Sequence, residues 1–148
     1  DTEGLNFRRA FKDAGFYLSG CCIWKKNALV LGRSPFQWIH EPCLFGWKQT
    51  GKHQWYSDRK QVTVWEYDKP RSSKDHPTMK PVALMSYPLR CSTMTNGIVL
   101  DPFASSASTL AAAEAIGYES IGVERDRAYF RLACESLPRL AGLRVDVG

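Results

Sequence analysis

A chain of 148 residues, 44% of them hydrophobic, has the size and composition of one globular domain. It holds no run of eighteen apolar residues, which argues against a membrane-spanning helix, and its opening Asp1-Thr2-Glu3-Gly4 carries no signal-peptide pattern. The formal charge of +5 is concentrated: in residues 48–74 seven basic residues face three acidic ones, a net +4, which leaves +1 for all the rest.

Residues 5–14 predict an amphipathic helix, with Phe7 and Phe11 at i, i+4 and Ala10 and Ala14 beside them; Gly15 is the stop signal. Phe16 to Trp24 is β-rich and mostly apolar, as a central strand would be, and Lys25-Lys26-Asn27 is expected to end it. Residues 27–40 read as a loop with exposed aromatics, Phe36 and Trp38. Pro42 to Lys48 predicts a second strand, Gly51 to Asp58 a loop, Gln61 to Tyr67 a third strand, and Pro70 to Asp75 a polar linker. Pro81 suits the first turn of the next helix, where a missing N–H costs nothing. Pro88 is expected to kink or shorten that helix. Ile98–Leu100 and Ser120–Val123 predict two further strands around a helix over 106–116. A last helix starts near Asp126, a plausible N-cap, and runs to Leu137, with Pro138 perturbing its end.

Five cysteines, Cys21, Cys22, Cys43, Cys91 and Cys134, sit in unlike contexts, with no zinc or disulfide spacing. They read as buried reduced thiols of a cytoplasmic protein, with Cys21 and Cys22 on opposite faces of a strand. The basic segment 48–74 also holds Trp55, Tyr56, Trp65 and Tyr67. Basic residues interleaved with aromatics suit a polyanion with stackable bases; a solvated loop with core-packing aromatics is the competing reading.

The most informative stretch is 97–109. An apolar run ends in Asp101, a turn of small residues follows, and Leu110 to Ile116 forms a helix stopped by Gly117. This is the strand–turn–helix start of a nucleotide-type site. The next strand ends in a second acid, Glu124. Two acids at the carboxyl ends of adjacent parallel strands can reach an amine or a ribose diol. The turn lacks the Gly-x-Gly-x-x-Gly pyrophosphate pattern, so a ligand with a ribose but no phosphate fits better, and a nicotinamide-dependent oxidoreductase fits poorly.

Asp101-Pro102-Phe103-Ala104-Ser105-Ser106-Ala107-Ser108-Thr109, preceded by His76-Pro77-Thr78-Met79-Lys80-Pro81, resembles the S-adenosylmethionine-dependent DNA amino-methyltransferases, which modify adenine N6 or cytosine N4. The family's turn reads Asp-Pro-Phe-x-Gly-Ser-Gly-Thr-Thr; here Ser105 and Ala107 replace both glycines, which bears on how closely a cofactor approaches the backbone. The resemblance implies a Rossmann-like α/β methyltransferase fold, a mixed sheet with helices on both faces, lacking its amino-terminal part. It implies one domain in three stretches: base-side strands and a loop over 1–47, a basic DNA-facing segment over 48–75, and a cofactor-binding portion over 76–148.

In that family His76, Pro77, Thr78 and Lys80 would close over the methionine part of the cofactor. Asp101 would meet its amino group, although an acid there also caps the next helix. Phe103 would pack against it, the core being the commoner place for a phenylalanine, and Ser105 would line the turn. Glu124 would hold the ribose hydroxyls. Arg125 would lie beside the adenine or face solvent.

Arg33-Ser34-Pro35-Phe36-Gln37-Trp38-Ile39-His40-Glu41-Pro42 resembles a segment of phage-type and mobile-element members. It would border the target-base pocket, with Phe36 or Trp38 covering an extruded base, or else pack beneath the sheet. Arg33, Phe36, Trp38, His40, Lys52, Arg59 and Lys60 are the candidate contacts to double-stranded DNA. No metal is expected, since His40-Glu41 lacks a third ligand at metal spacing and this family's methyl transfer needs none.

The family's catalytic motif, Asp/Asn/Ser-Pro-Pro followed by an aromatic, is missing: the chain contains no Pro-Pro. In members with this motif order the catalytic motif stands upstream of a helix like residues 5–14. The chain thus reads as the carboxyl-terminal part of a site-specific methyltransferase, of a restriction-modification system or mobile element, and inactive alone. The alternative is a degenerate DNA-binding relative that has lost cofactor binding with the two glycines.

Overall fold

The computed structural model describes residues 2–70 and 79–142. The elements are α1 (Gly4–Asp13), β1 (Phe16–Val30), β2 (Trp38–Lys48), β3 (Val64–Glu66), α2 (Val82–Ser92), β4 (Ile98–Asp101), α3 (Ser108–Ala115), β5 (Glu119–Gly122) and α4 (Arg127–Ala141). They fall into two compact units: residues 1–54 with 59–68, and residues 55–58 with 69–148.

The first unit is built on a mixed sheet in the order β2-β1-β3. The long ribbon β1–β2 is antiparallel, with Cys22 opposite Cys43 and Ile23 opposite Pro42, and β3 adds in parallel against Ile23, Trp24 and Lys25. The Ile23 N–H donates to the Thr63 carbonyl on the β3 side (2.7 Å). By the alternation of an antiparallel ladder, Ile23–Pro42 is then a non-hydrogen-bonded pair, and the proline costs no ladder bond on this edge strand. α1 lies against this ribbon, with the Phe11 ring 5.0 Å from that of Phe16. An added Cβ on Gly46 would stand 2.0 Å from the Tyr17 carbonyl oxygen, so the ribbon requires glycine there.

Two sequence expectations are corrected in this unit. β1 does not stop at Lys25-Lys26-Asn27 but runs to Val30, and β2 begins at Trp38, so the 27–40 loop shrinks to residues 31–37. The lysines stay in the strand because each is neutralised: Lys25 Nζ donates to Glu66 Oε1 (2.9 Å), and the buried Lys26 Nζ lies 3.3 Å from Glu41 Oε1. Conversely, the strand expected over Gln61–Tyr67 shortens to three residues, Val64–Glu66.

In the second unit β4 and β5 pair in parallel, with Asp101 opposite Gly122. The core is small: Val82, Ala111, Ala112 and Leu140, with Met79, Met85, Leu89 and Leu137 around them. Three successive fully buried alanines, 111 to 113, let α2 and α4 approach α3 closely. At this level of burial even one methyl group counts.

α2 runs four residues past Pro88, which does not shorten it, and Pro81 stands one residue before its first turn, with an extended backbone. α4 likewise runs past Pro138 to Ala141. The Asp126 cap forms as expected: its carboxylate accepts from the Ala128 and Tyr129 N–H groups at 2.8 and 3.1 Å. Helix α3 starts at Ser108 rather than 106, because Ala107 holds a left-handed backbone, φ +61°.

The thiols also depart from expectation. Cys91 is buried and Cys21 and Cys22 are half-buried, but Cys43 and Cys134 are exposed. Burial, with the neighbouring Cys43 and Cys21, pushes the Cys22 thiol up to about 11. Burial also raises Cys91. Among the described residues no group of His, Cys, Asp and Glu is placed to hold a metal ion, and no helix is long and apolar enough to cross a membrane.

Candidate functional site

The Asp101–Ala107 turn is wired to the β5–α4 connection almost peptide by peptide. The Val123 N–H donates to the Asp101 carbonyl and the Ala104 N–H returns to the Val123 carbonyl, both at 2.9 Å. The Ala107 N–H donates to the Ala104 carbonyl at 2.7 Å. Asp101 turns its own carboxylate onto the Phe103 N–H (3.0 Å), an Asx-type bond that shapes the start of the turn.

Glu124 closes the arrangement. One carboxylate oxygen accepts the Ser105 N–H at 2.9 Å, and the other accepts the Asp126 N–H at 2.8 Å. These donors, Asp126 first and Ser105 second, hold the carboxyl below the usual glutamate range. The Arg125 N–H adds a weaker contribution, and the carboxylate keeps acceptor capacity for a hydroxyl donor.

Ser105 and Ala107 both take positive φ, +47° and +61°. The turn therefore keeps the backbone path that glycines adopt without strain, at positions where the resembling family carries glycine. The Ala107 side chain is 1% exposed and points into packing rather than outward. A cavity of about 80 Å³ lies behind the turn, lined by Ala104, Ala107, Leu110, Gly122, Glu124 and residues of α4. Phe103 is 84% exposed, which removes the core role that was its alternative.

Sequence reading missed a buried hydroxyl cluster that ties α4 to this turn. Ser106 Oγ and Ser108 Oγ are 3.1 Å apart, and Ser136 Oγ donates to the Leu132 carbonyl at 2.7 Å and lies 3.4 Å from that of Ser106. Its one sequence signal is a serine at i+3 from Ala133 and i−4 from Leu140, on the apolar stripe of α4.

The predicted site residues thus separate. Lys80, Asp101, Phe103, Ser105, Glu124 and Arg125 belong to the second unit, where Glu124 and Ser105 are bonded; His76, Pro77 and Thr78 lie outside the described residues. Arg33, Phe36, Trp38, His40, Lys52, Arg59 and Lys60 belong to the first unit. There the Trp38 and His40 rings lie 5.5 Å apart, tilted by 59°, while Lys52, Arg59 and Lys60 are exposed.

Part of the basic, aromatic segment is committed to local structure. Lys48 Nζ sits 4.4 Å from the Phe16 ring centroid and donates to the Ala14 carbonyl. The indole N–H groups of Trp55 and Trp65 donate to the Asp58 and Val62 carbonyls at 2.9 and 2.8 Å. A further apolar cavity of about 610 Å³, lined by Phe7, Phe11, Pro42 and Leu44 among others, was not foreseen.

A family model described as DNA methylase, of the N6/N4 type, matches residues 6–135. YubD of Escherichia coli (strain K12) is 30% identical over 131 residues, 88% of this chain and 56% of that protein. The DNA adenine methyltransferase YhdJ of the same organism is 38% identical over 78 residues, 50% of this chain and 26% of that protein. Among solved structures, the M1.HpyAVI–SAM complex superposes with a TM-score of 0.77 at 25% identity, covering 90% of this chain and 68% of that one. The chain spans about half the length of the curated relatives it matches over most of its own length. The fold is the Rossmann-like α/β fold of the S-adenosylmethionine-dependent methyltransferases, and with 6–135 matched this chain belongs to their DNA amino-methyltransferase family.

Proposed function

We propose that this chain supplies the cofactor portion and part of the DNA-facing surface of a methyltransferase acting on the exocyclic amine of a base in double-stranded DNA, adenine N6 rather than cytosine N4. The observation that carries the reading is the Glu124 carboxylate, bonded to Ser105 and Asp126 at the carboxyl ends of two paired parallel strands. That is where open α/β sheets bind ligands. Adenine is favoured by the likeness of half the chain to YhdJ, a DNA adenine methyltransferase.

S-adenosylmethionine, when bound, supplies the electrophilic methyl group. The residues of the turn suit it. Glu124 stays ionised and offers its remaining acceptor capacity to the ribose hydroxyls. Asp101 offers its remaining oxygen to the cofactor's amino group. Phe103 presents an exposed ring, and Arg125 stands beside Glu124 for the adenine edge. Ser105 and Ala107 keep the glycine-like backbone path, and the Ala107 methyl is buried away from the surface of the turn. Lys80 and residues 76–78 are assigned to the methionine part. An in-line transfer needs little more than orientation, so positioning supplies most of the rate. The groups that orient the acceptor amine are assigned to the missing Pro-Pro motif, so these 148 residues bind cofactor without transferring methyl.

Titration calorimetry with S-adenosylmethionine tests the reading. Binding by the chain that is lost in Glu124→Ala is expected. No binding favours the alternative, a DNA-binding relative without cofactor; methyl transfer to duplex DNA by the 148 residues alone would overturn the assignment of the catalytic motif.

A further inference from the structure

The tip of the β1–β2 ribbon has a construction that the cofactor site does not explain. The bridge Val30–Trp38 closes a loop of residues 31–37 at the end of strands fifteen and eleven residues long. Phe36 is 89% exposed and Leu31 83%, two large apolar side chains presented at the far end of the ribbon. The loop is braced from within by one side chain: the Gln37 Oε1 accepts the Gly32 N–H at 2.7 Å, and its Nε2 donates to the Ser34 carbonyl. That bracing fixes the loop that carries the exposed apolar side chains and spares it the entropy of ordering on contact.

The charge around the tip has one sign. Residues 25–40 contain Lys25, Lys26 and Arg33 and no acid. Lys25 and Lys26 are spent on Glu66 and Glu41, whereas no ion pair among the described residues engages Arg33, which lies three residues from Phe36. A rigid apolar point beside a free guanidinium matches a duplex: the cation meets a phosphate, and the ring enters a base step.

We propose that the ribbon tip is a wedge, with Phe36 inserted into the base stack of duplex DNA and Arg33 on the adjoining phosphate. This rests on the reading of the chain as part of a DNA methyltransferase. Such an enzyme takes its base out of the stack, and a ring that fills the vacated space offsets the lost stacking. Phe36 then contacts the neighbouring bases, not the extruded one.

The test needs no recognition sequence. Binding of the 148-residue chain is compared on a fully paired duplex and on the same duplex with one abasic position, which offers a ready-made slot. Wild type is expected to prefer the abasic duplex by about ten-fold, the scale of one base–aromatic stack. Phe36→Ala should lose that preference and Phe36→Trp keep it. Arg33→Ala should weaken both duplexes alike and lower the salt slope by about one. Because Phe36 is exposed, circular dichroism should be unchanged in these variants. A Phe36→Ala chain that still prefers the abasic duplex overturns the wedge alone. A wild type that binds neither duplex overturns the DNA-facing reading with it. Self-association of wild type that Phe36→Ala abolishes would make the tip an interface between copies and also overturn the wedge.

Discussion

Replacing Ala107 by glycine separates backbone strain from packing at the Asp101–Ala107 turn, provided it is compared with Ala112→Gly. Ala107 is 1% exposed and Ala112 0%, so each substitution removes one fully buried methyl group, about 0.8 kcal/mol. Ala112 lies inside α3, where glycine costs roughly 1 kcal/mol more, so its variant should lose about 2 kcal/mol. Ala107 sits at φ +61°, and leaving the left-handed region should return roughly 1–2 kcal/mol. The freer unfolded chain takes back about 0.4–1 kcal/mol of that. Ala107→Gly should therefore be close to neutral, and the two variants should differ by about 2 kcal/mol. Urea unfolding followed by far-ultraviolet circular dichroism measures the difference. Equal losses would refute the claim that strain is stored at Ala107.

Asp126→Ala should cost about 1 kcal/mol in the same assay, because it strips two N–H groups of α4 of their acceptor. Gly46→Ala should leave the chain insoluble or without a cooperative transition, since its Cβ meets a backbone carbonyl that cannot turn aside. The depressed acidity of Glu124 makes stability pH-dependent. Its contribution is fully present above the ordinary glutamate value of 4.5 and lost as pH falls through the lower folded value. An acid titration of thermal stability should show wild type losing this increment below that value while Glu124→Gln shows a flatter limb; parallel curves would remove the two N–H donors as its cause.

Much of the fold was legible because its signals are local. The Asp101 strand end, the small-residue turn, the Asp126 cap and the Gly117 stop each depend on a few adjacent residues, and each stands where the pattern put it. What was illegible depends on partners far away in sequence. Lys25 and Lys26 look like a strand terminus until Glu66 and Glu41 come beside them. Phe103 looks like core in any composition count, and only the turn's path exposes it. The candidate site follows the same rule. Asp101 and Glu124 were visible as acids at strand ends, and the bond Glu124 accepts from Asp126 is local, but the bond it accepts from Ser105, nineteen residues away, comes from the parallel pairing of β4 with β5.

The two residues that stand where the family has glycine are tolerated for a reason that also limits them. Left-handed Ser105 and Ala107 cost roughly 1–2 kcal/mol each, which persists only where neighbouring bonds over-determine the backbone. They do so here: the Ser105 N–H is fixed by Glu124, the Ala107 N–H by the Ala104 carbonyl, and the Ala107 carbonyl receives the Ala111 N–H at 2.9 Å to begin α3. Packing then sets the size limit. The cavity behind the turn holds about 80 Å³, and on Gly122, which shares it, even a Cβ would stand 2.6 Å from a Leu110 methyl, so Leu110 would have to shift. Ala107→Val adds two buried carbons and a β-branch at positive φ, so it should cost about 3 kcal/mol or more. Because the same turn carries the Glu124 bond, it should also weaken S-adenosylmethionine binding, whereas Ala107→Gly should not. A valine variant that keeps both stability and binding would mean that the turn can move away from α3, and the bonded frame described here would not be what shapes the site.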